Sequence, residues 1–281
     1  RITWLRRVTL DLTGLPPTLT EVDAFQKDKS PKAFETVVDR LLASPRYGER
    51  MAWDWLEAAR YADSNGYQGD RERTMWPWRD WVVRAFNANQ PYNDFTVEQI
   101  AGDLLPNATE QQVLATGFNR NHMINGEGGR IAAENRVEYV FDQTETVGTV
   151  WMGLTFNCCR CHDHKFDPIS QRDYFSMYSF FNQTPVNGGG GDPAMAPNIQ
   201  VGTSEQKKEI AGLEQKIAAH TKAIAARRAV LAQGQAKWEA EQLKRGSASA
   251  WTPLKPIAAR AQQQTLELLP DQSVLAKGKL P

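Results

Sequence analysis

The three cysteines of the chain lie with two histidines in one short segment, NCCRCHDHKFDP. These residues are Cys158, Cys159, Cys161, His162 and His164. The order Cys158, Cys161, His162 has the C-x-x-C-H spacing of c-type haem attachment. Two thiols at this spacing can add to the two vinyl groups of one haem, and the next histidine can bind its iron. The segment therefore predicts a haem c held by Cys158, Cys161 and His162, with His162 as the proximal iron ligand.

Three other interpretations of the segment stay open. Zinc could take Cys158, Cys161, His162 and His164 as ligands, although structural zinc sites usually draw two well-separated pairs of residues. A disulfide would leave one of the three cysteines over. A purely structural loop is the third alternative.

A second axial ligand for such a haem could come from the stretch RNHMINGEGG. It contains His122 and Met123 side by side, and either could reach the iron. Histidine with methionine suits electron transfer and raises the reduction potential, whereas an open sixth site suits small-ligand chemistry.

Carboxylates after this stretch raise a different chemistry. Glu127 and Glu134 are candidate catalytic residues, and Glu134, Glu138 and Asp142 share one helix face at four-residue spacing. Paired carboxylates lining a cleft are what glycoside hydrolysis requires. Interleaved arginines favour an ordinary solvated face instead.

Oxygen-bearing side chains also gather in YADSNGYQGDRER. Asp63, Asn65 and Asp70 surround Gly66 and Gly69, and such loops can hold Ca²⁺. The spacing does not fit the EF-hand loop, so a turn with side chain–backbone hydrogen bonds is the favoured interpretation.

Tryptophans form a dense aromatic group at Trp76, Trp78 and Trp81, and Trp53 and Trp55 add to it. Sugar-binding sites use such platforms, and helix cores use them too. Trp78 and Trp81 follow helical spacing, which favours a core role.

Helices must position these residues, and we expect a mainly α fold. Capping boxes at Thr18/Glu21 and Ser170/Asp173 mark two helix starts, and Ser30 with Pro31 marks a third. The remaining helices are expected at about 47–61, 78–88, 96–105, 109–117 and 134–154. The cysteine segment then lies in a loop between two helices.

Composition changes divide the chain. We expect an α-helical domain at 1–186, a Gly/Pro-rich linker at 187–203, a long helix or helical hairpin at 204–245, and the start of a β-sandwich-like domain at 246–281. The linker contains four consecutive glycines, which favour a mobile loop. The long helix carries apolar residues at seven-residue intervals, namely Ile210, Ile217, Ile224, Leu231 and Trp238.

Charge and hydropathy exclude some functions. Lys plus Arg and Asp plus Glu are both 33, and this balance argues against a general nucleic-acid binder. No apolar run reaches the length of a transmembrane helix. We expect the chain to be a piece of a longer protein, whose other domains are its first partners.

Four stretches together resemble the planctomycete cytochrome-associated family, catalogued as domain of unknown function 1549. They are RLLASPRYGERMAWDWLEAARYADSNGY, MWPWRDWVVRAFNANQPYNDFTVEQIAGDLLP, ATGFNRNHMINGEGG and CRCHDHKFDPISQRDYF. The resemblance covers roughly residues 1–185, and Cys158, Cys161 and His162 match the family's own C-x-x-C-H.

The resemblance implies an exported, periplasmic or extracellular protein with a c-type cytochrome domain upstream and a second family-specific domain downstream. It also implies a redox partner cytochrome and a link to the breakdown of complex sulfated polysaccharides, with a glycan as a further partner. It implies no settled reaction.

Overall fold

The computed structural model describes residues 1–190, 196–245, 255–261 and 265–277. The chain divides into two compact units, Arg1–Val201 and Gly202–Pro281. The predicted mainly α fold is confirmed, with one small antiparallel sheet near the C-terminus.

The first unit is built from nine described helices. They are α1 (Ile2–Thr13), α2 (Leu19–Lys27), α3 (Ala33–Leu42), α4 (Pro45–Ala58), α5 (Trp76–Asn87), α6 (Tyr92–Ala101), α7 (Glu110–Ala115), α8 (Ala132–Met152) and α9 (Gln171–Phe181). Short 3₁₀ segments follow α6, α7 and α8 at Gly102–Leu104, Thr116–Arg120 and Phe156–Arg160.

Capping explains most of the helix starts. The boxes predicted at Thr18/Glu21 and Ser170/Asp173 are both present and begin α2 and α9. The start predicted at Ser30 and Pro31 is wrong, because α3 begins at Ala33. The amide of Ser30 donates to Asp28 Oδ1 at 2.8 Å, so a separate turn precedes the helix.

Trp78 and Trp81 of α5 lie in the main core, as their helical spacing predicted. Trp78 is 1% exposed and Trp81 is 5% exposed, and the indole Nε1 of Trp78 donates to Ala115 O at 3.0 Å. A buried indole needs such a partner for its N–H. Trp53 of α4 is different, because 64% of its surface is exposed.

Helix α8 packs on two sides. Tyr139, Val140 and Val147 lie in the main core, whereas Phe141 packs against a smaller cluster made with the 3₁₀ segment and α9. Val137 shares the helical apolar spacing of Val140 and Val147, which predicts burial, yet it is 39% exposed. A single apolar stripe could not reveal a helix that has neighbours on opposite faces.

The glycine-rich segment is packed where it is described. Asn135 Nδ2 donates to Gly188 O at 3.2 Å, and Arg130 Nη2 donates to Gly190 O at 3.0 Å. A Cβ on Gly188 would lie 1.8 Å from Ala132 O, so only glycine allows this approach. Residues 187–190 therefore belong to the first unit, and residues 191–195 of the predicted linker lie outside the described residues.

The second unit contains α10 (Ser204–Arg245) and an antiparallel pair, β1 (Thr265–Leu268) and β2 (Val274–Lys277). Of the two forms predicted for 204–245, a single long helix is present. The strand pair lies where the start of a β-domain was predicted. The apolar residues at seven-residue intervals on α10 are exposed. Among the described helices, none is long and apolar enough to cross a membrane.

Candidate functional site

One helical turn presents the cysteine motif. Gly153 ends α8 in the left-handed conformation, and the 3₁₀ segment Phe156–Arg160 follows. The amides of Cys161 and His162 both donate to Cys158 O, at 3.3 and 3.4 Å. This turn leaves Cys158 and Cys161 exposed and directs Cys159 inward. The two thiols of the C-x-x-C pair are therefore accessible together.

The third thiol has a structural role. Cys159 is fully buried beside Phe156 and Tyr174, and its Sγ donates to Ile169 O at 3.7 Å. Burial raises the pKa of the Cys159 thiol, so this residue stays protonated. Cys159 therefore anchors the turn, while Cys158 and Cys161 remain exposed.

The imidazole of His162 is exposed and held by its own backbone. Its Nδ1 lies 2.7 Å from Asp163 O, and because a carbonyl only accepts, Nδ1 carries the proton. Nε2 then keeps a free lone pair, which is the arrangement found in metal-bound histidines. His162 can therefore act as a ligand through Nε2.

Contacts with α8 and α9 fix the loop. The Arg160 guanidinium donates to Glu138 at 2.7 Å and lies 4.0 Å from the centre of the Phe141 ring. Asp163 Oδ1 accepts the amide of Gln171 at 2.8 Å. Arg160, at a non-ligand position between Cys158 and Cys161, therefore attaches the turn to α8.

His164 has a structural position. Its side chain is 6% exposed, and Nδ1 accepts the amides of Phe166 and Asp167 at 3.3 and 2.8 Å. A zinc site of Cys158, Cys161, His162 and His164 would have to break these bonds. Within the described part of the chain, no group of three or more His, Cys, Asp and Glu residues is arranged to hold a metal ion.

The structure does not bring His122 and Met123 to the cysteine turn. His122 is 2% exposed and stacks on Tyr139 with ring centres 4.6 Å apart. Tyr139 and Phe141 project from α8 about 200° apart, and the cysteine turn packs on the Phe141 side. Met123 is 49% exposed and contacts Gly66. A second axial ligand from this pair stays a prediction without a contact to support it.

The carboxylates predicted to be functional are dispersed. Glu127 and Glu134 are exposed near the start of α8. Asp142 forms a two-pronged ion pair with Arg60, with oxygen–nitrogen distances of 2.5 and 2.6 Å. Glu138 pairs with Arg160. Arg60 and Arg160 come from other parts of the chain and hold Asp142 and Glu138 in ion pairs. The interleaved Arg130 and Arg136 instead donate to Gly190 O and to Asn182.

The oxygen-rich loop is organised by its backbone. Asp70 Oδ1 accepts the amide of Gly66 at 2.6 Å, and Asp63 Oδ1 accepts the amides of Met75 and Trp76 at the start of α5. Asn65 points away from these carboxylates into the interior, at 1% exposed. The predicted turn is therefore present, and the three residues considered for Ca²⁺ serve separate purposes.

A group of buried polar residues is a feature that the sequence did not reveal. We name it the buried polar cluster, and its members are Asn65, Arg73, Asn121 and His122. The residues come from two stretches, YADSNGYQGDRER and RNHMINGEGG, that appeared unrelated in the sequence. An arginine, a histidine and two asparagines, all buried and carried by two joined segments, are unusual.

Comparison with known proteins gives one match. The family described as PSCyt2, "Protein of unknown function (DUF1549)", matches residues 1–186. No curated protein and no solved structure matches the chain. The match covers the helical unit with the cysteine turn and the buried polar cluster, and the chain accordingly belongs to this DUF1549 family.

Proposed function

We propose that the first unit carries a covalently attached c-type haem at Cys158, Cys161 and His162, and that it takes part in electron transfer or oxidation. The observation that supports this most directly is the difference in exposure among the three thiols. The two that fit the attachment spacing are exposed, and the one that does not fit is buried. A structural loop would have no need to expose two thiols on one turn.

The residues fit the group that the proposal assigns to them. Thioether formation needs accessible thiols, and Cys158 and Cys161 are accessible. Iron needs an imidazole nitrogen with a free lone pair, and His162 offers Nε2. When bound, the haem would supply one-electron redox chemistry. The chain's part is to hold it at a turn that Arg160 and Asp163 fix to α8 and α9.

Attachment in a host with a cytochrome-maturation system tests this proposal. The purified protein is expected to show the pyridine haemochrome spectrum of thioether-linked haem, and to keep its haem through acid-acetone extraction. Cys158→Ala and Cys161→Ala are expected to lower the covalently bound haem sharply. Cys159→Ala is the matched control, and it should keep the haem with reduced stability.

Two results would contradict the haem proposal. Colourless wild-type protein from a maturation-competent host is the first. The second is equal haem content in Cys158→Ala and Cys159→Ala, because the proposal assigns these neighbouring thiols opposite roles.

A second candidate function is glycan binding, and a groove between α4 and α5 favours it. The groove has a volume of about 660 Å³, and its lining includes the exposed Trp53 with Tyr61, Arg79 and Asp80. An aromatic face beside charged side chains is a common arrangement for binding sugar rings. Glu127 and Glu134 do not line this groove, so the candidate is a binding function and not hydrolysis by those carboxylates.

Affinity electrophoresis through polysaccharide gels tests the second candidate. Trp53→Ala is expected to abolish any retardation, and Trp76→Ala is the control, since Trp76 is also exposed but lies outside the groove. Retardation that both variants retain, or none in the wild type across neutral and sulfated gels, would rule out glycan binding in this groove.

A further inference from the structure

The buried polar cluster carries unmet hydrogen-bonding capacity. Asn65, Arg73, Asn121 and His122 are 1%, 4%, 4% and 2% exposed. Six of their side-chain atoms have no protein partner among the described residues. These are both amide atoms of Asn65, both amide atoms of Asn121, Nε of Arg73 and Nε2 of His122. Buried polar groups normally find partners, so this concentration calls for a reason.

Hydrogen bonds join the two segments that carry the four residues. Arg73 Nη1 donates to His122 O at 2.8 Å, and the amide of Ile124 donates to Asn65 O at 3.0 Å. The amide of Asn65 donates to Arg71 O at 3.0 Å and closes the exposed turn 66–72 between Asn65 and Arg73. The cluster is therefore one site formed by two neighbouring segments.

The most unusual feature of the cluster is the buried charge of Arg73. Its guanidinium makes a hydrogen bond to a neutral carbonyl and forms no ion pair with a carboxylate of the described residues. Burial and the nearby Arg120 lower the pKa of Arg73 to about 10, so it remains charged at neutral pH. The carboxylates of Asp63, Asp70 and Asp142 favour the charged form of Arg73, but none of them forms an ion pair with it. A buried charge without a direct ion pair is costly, whereas a guanidinium matches the two oxygens of a carboxylate or phosphate.

His122 adds a second requirement. Its Nδ1 lies 2.9 Å from Met123 O, so Nδ1 carries the proton and Nε2 is a hydrogen-bond acceptor. Burial lowers the pKa of His122 to about 3, which keeps the ring neutral. A ligand beside Nε2 must therefore offer a hydrogen-bond donor.

We propose that the buried polar cluster is a binding site for a small oxyanion that also carries a hydroxyl group. The oxyanion pairs with the Nε edge of Arg73, the amide nitrogens of Asn65 and Asn121 donate to its oxygens, and its hydroxyl donates to Nε2 of His122. Hydrogen phosphate and an α-hydroxycarboxylate share this chemistry. Opening of the exposed turn 66–72 gives the ligand access.

Thermal unfolding of the whole chain with paired anions tests the site. Hydrogen phosphate is compared with sulfate, and glycolate with acetate, at equal ionic strength and pH 7. Within each pair only the first anion carries the hydroxyl. It is expected to raise Tm with saturation, and at 100 times its Kd the unfolding equilibrium constant falls about 100-fold. Whichever of hydrogen phosphate and glycolate gives the larger saturable rise in Tm indicates the preferred class of ligand.

Variants separate binding from general salt effects, because sulfate and phosphate also stabilise proteins by exclusion from their surface. Arg73→Met is expected to remove the saturable part of the rise in Tm and to leave the part that is due to exclusion of the anion from the protein surface. Arg7→Met is the matched control, since Arg7 is exposed on α1, and should behave as the wild type. Should Arg73→Met fail to fold, Arg73→Lys is the second variant. It keeps the charge but loses the paired N–H donors of the guanidinium, and it is expected to weaken binding at least tenfold.

The proposal is overturned if none of the four anions gives a saturable rise in Tm with the wild type. It is also overturned if Arg73→Lys binds as tightly as the wild type, or if sulfate and acetate match their hydroxyl-bearing partners. None of these three outcomes depends on the cysteine turn, so the result is independent of haem attachment.

Discussion

Mild acid is expected to destabilise the protein through His122. Burial holds the pKa of this imidazole at about 3, compared with about 6.5 in the unfolded chain. Arg120, Arg73 and Arg60 add repulsion to any proton that it gains. The folded state therefore keeps His122 neutral at pH values where the unfolded state protonates it.

The sign and size of the effect follow from this difference. Below pH 6.5 the unfolded state binds one more proton, so the free energy of unfolding falls by up to about 1.4 kcal/mol for each pH unit. Between pH 7.5 and pH 5 the loss is about 2 kcal/mol, and it continues until the pH reaches about 3. Above pH 6.5 the stabilisation is fully present. Glu145 acts in the opposite sense, because burial raises its carboxyl pKa.

Urea unfolding followed by tryptophan fluorescence at pH 7.5, 6.5, 5.5 and 5 measures the effect. His122→Gln is expected to be less stable at neutral pH and to lose most of the slope below pH 6.5. His220→Gln, on the exposed surface of α10, should keep the slope of the wild type. A wild-type stability that is equal at pH 7.5 and pH 5, or a slope that persists in His122→Gln, would refute the reasoning.

Three further changes test the packing around the cysteine turn and α8. Ser170→Ala removes the cap of α9 and should cost about 1 kcal/mol in chemical unfolding, whereas Ser176→Ala within the helix should cost far less. Gly188→Ala puts a Cβ 1.8 Å from Ala132 O and should lower stability by about 1–3 kcal/mol, and Gly128→Ala, which meets nothing within 4 Å, is its control. Tyr174→Phe removes the hydroxyl that donates to the half-buried Glu145 at 3.0 Å, and it should cost about 1 kcal/mol in the same assay. Equal stabilities within the serine or the glycine pair, or no loss for Tyr174→Phe, would show that these contacts are not formed as described.

Local rules predicted the local features well. Capping boxes are set by residues three positions apart, so Thr18 and Ser170 identified the starts of α2 and α9. The span of α8 was predicted to within two residues, and the loop position of the cysteine segment followed from it. The accessibility of Cys158 and Cys161 and the burial of Cys159 depend on one short 3₁₀ turn, which no periodic pattern predicts.

Contacts between distant residues could not be predicted in the same way. Arg73 and His122 lie 49 positions apart, and only the packing of the turn 66–72 against the segment before α8 brings them together. In the sequence, Arg73 is one of several charged residues in a polar stretch, and such a stretch predicts a solvent-exposed loop. The sequence offers His122 or Met123 as a second iron ligand, yet the fold places His122 against Tyr139.

The exposed stripe on α10 has a geometric consequence. Residues seven apart on a straight α-helix lag by about 20°, so the stripe turns by about 80° between Ile210 and Trp238. A flat surface that touches Ile210 therefore cannot also touch Trp238. Any helix that covers the whole stripe must wind around α10 with a left-handed twist, along a helix that is about 63 Å long.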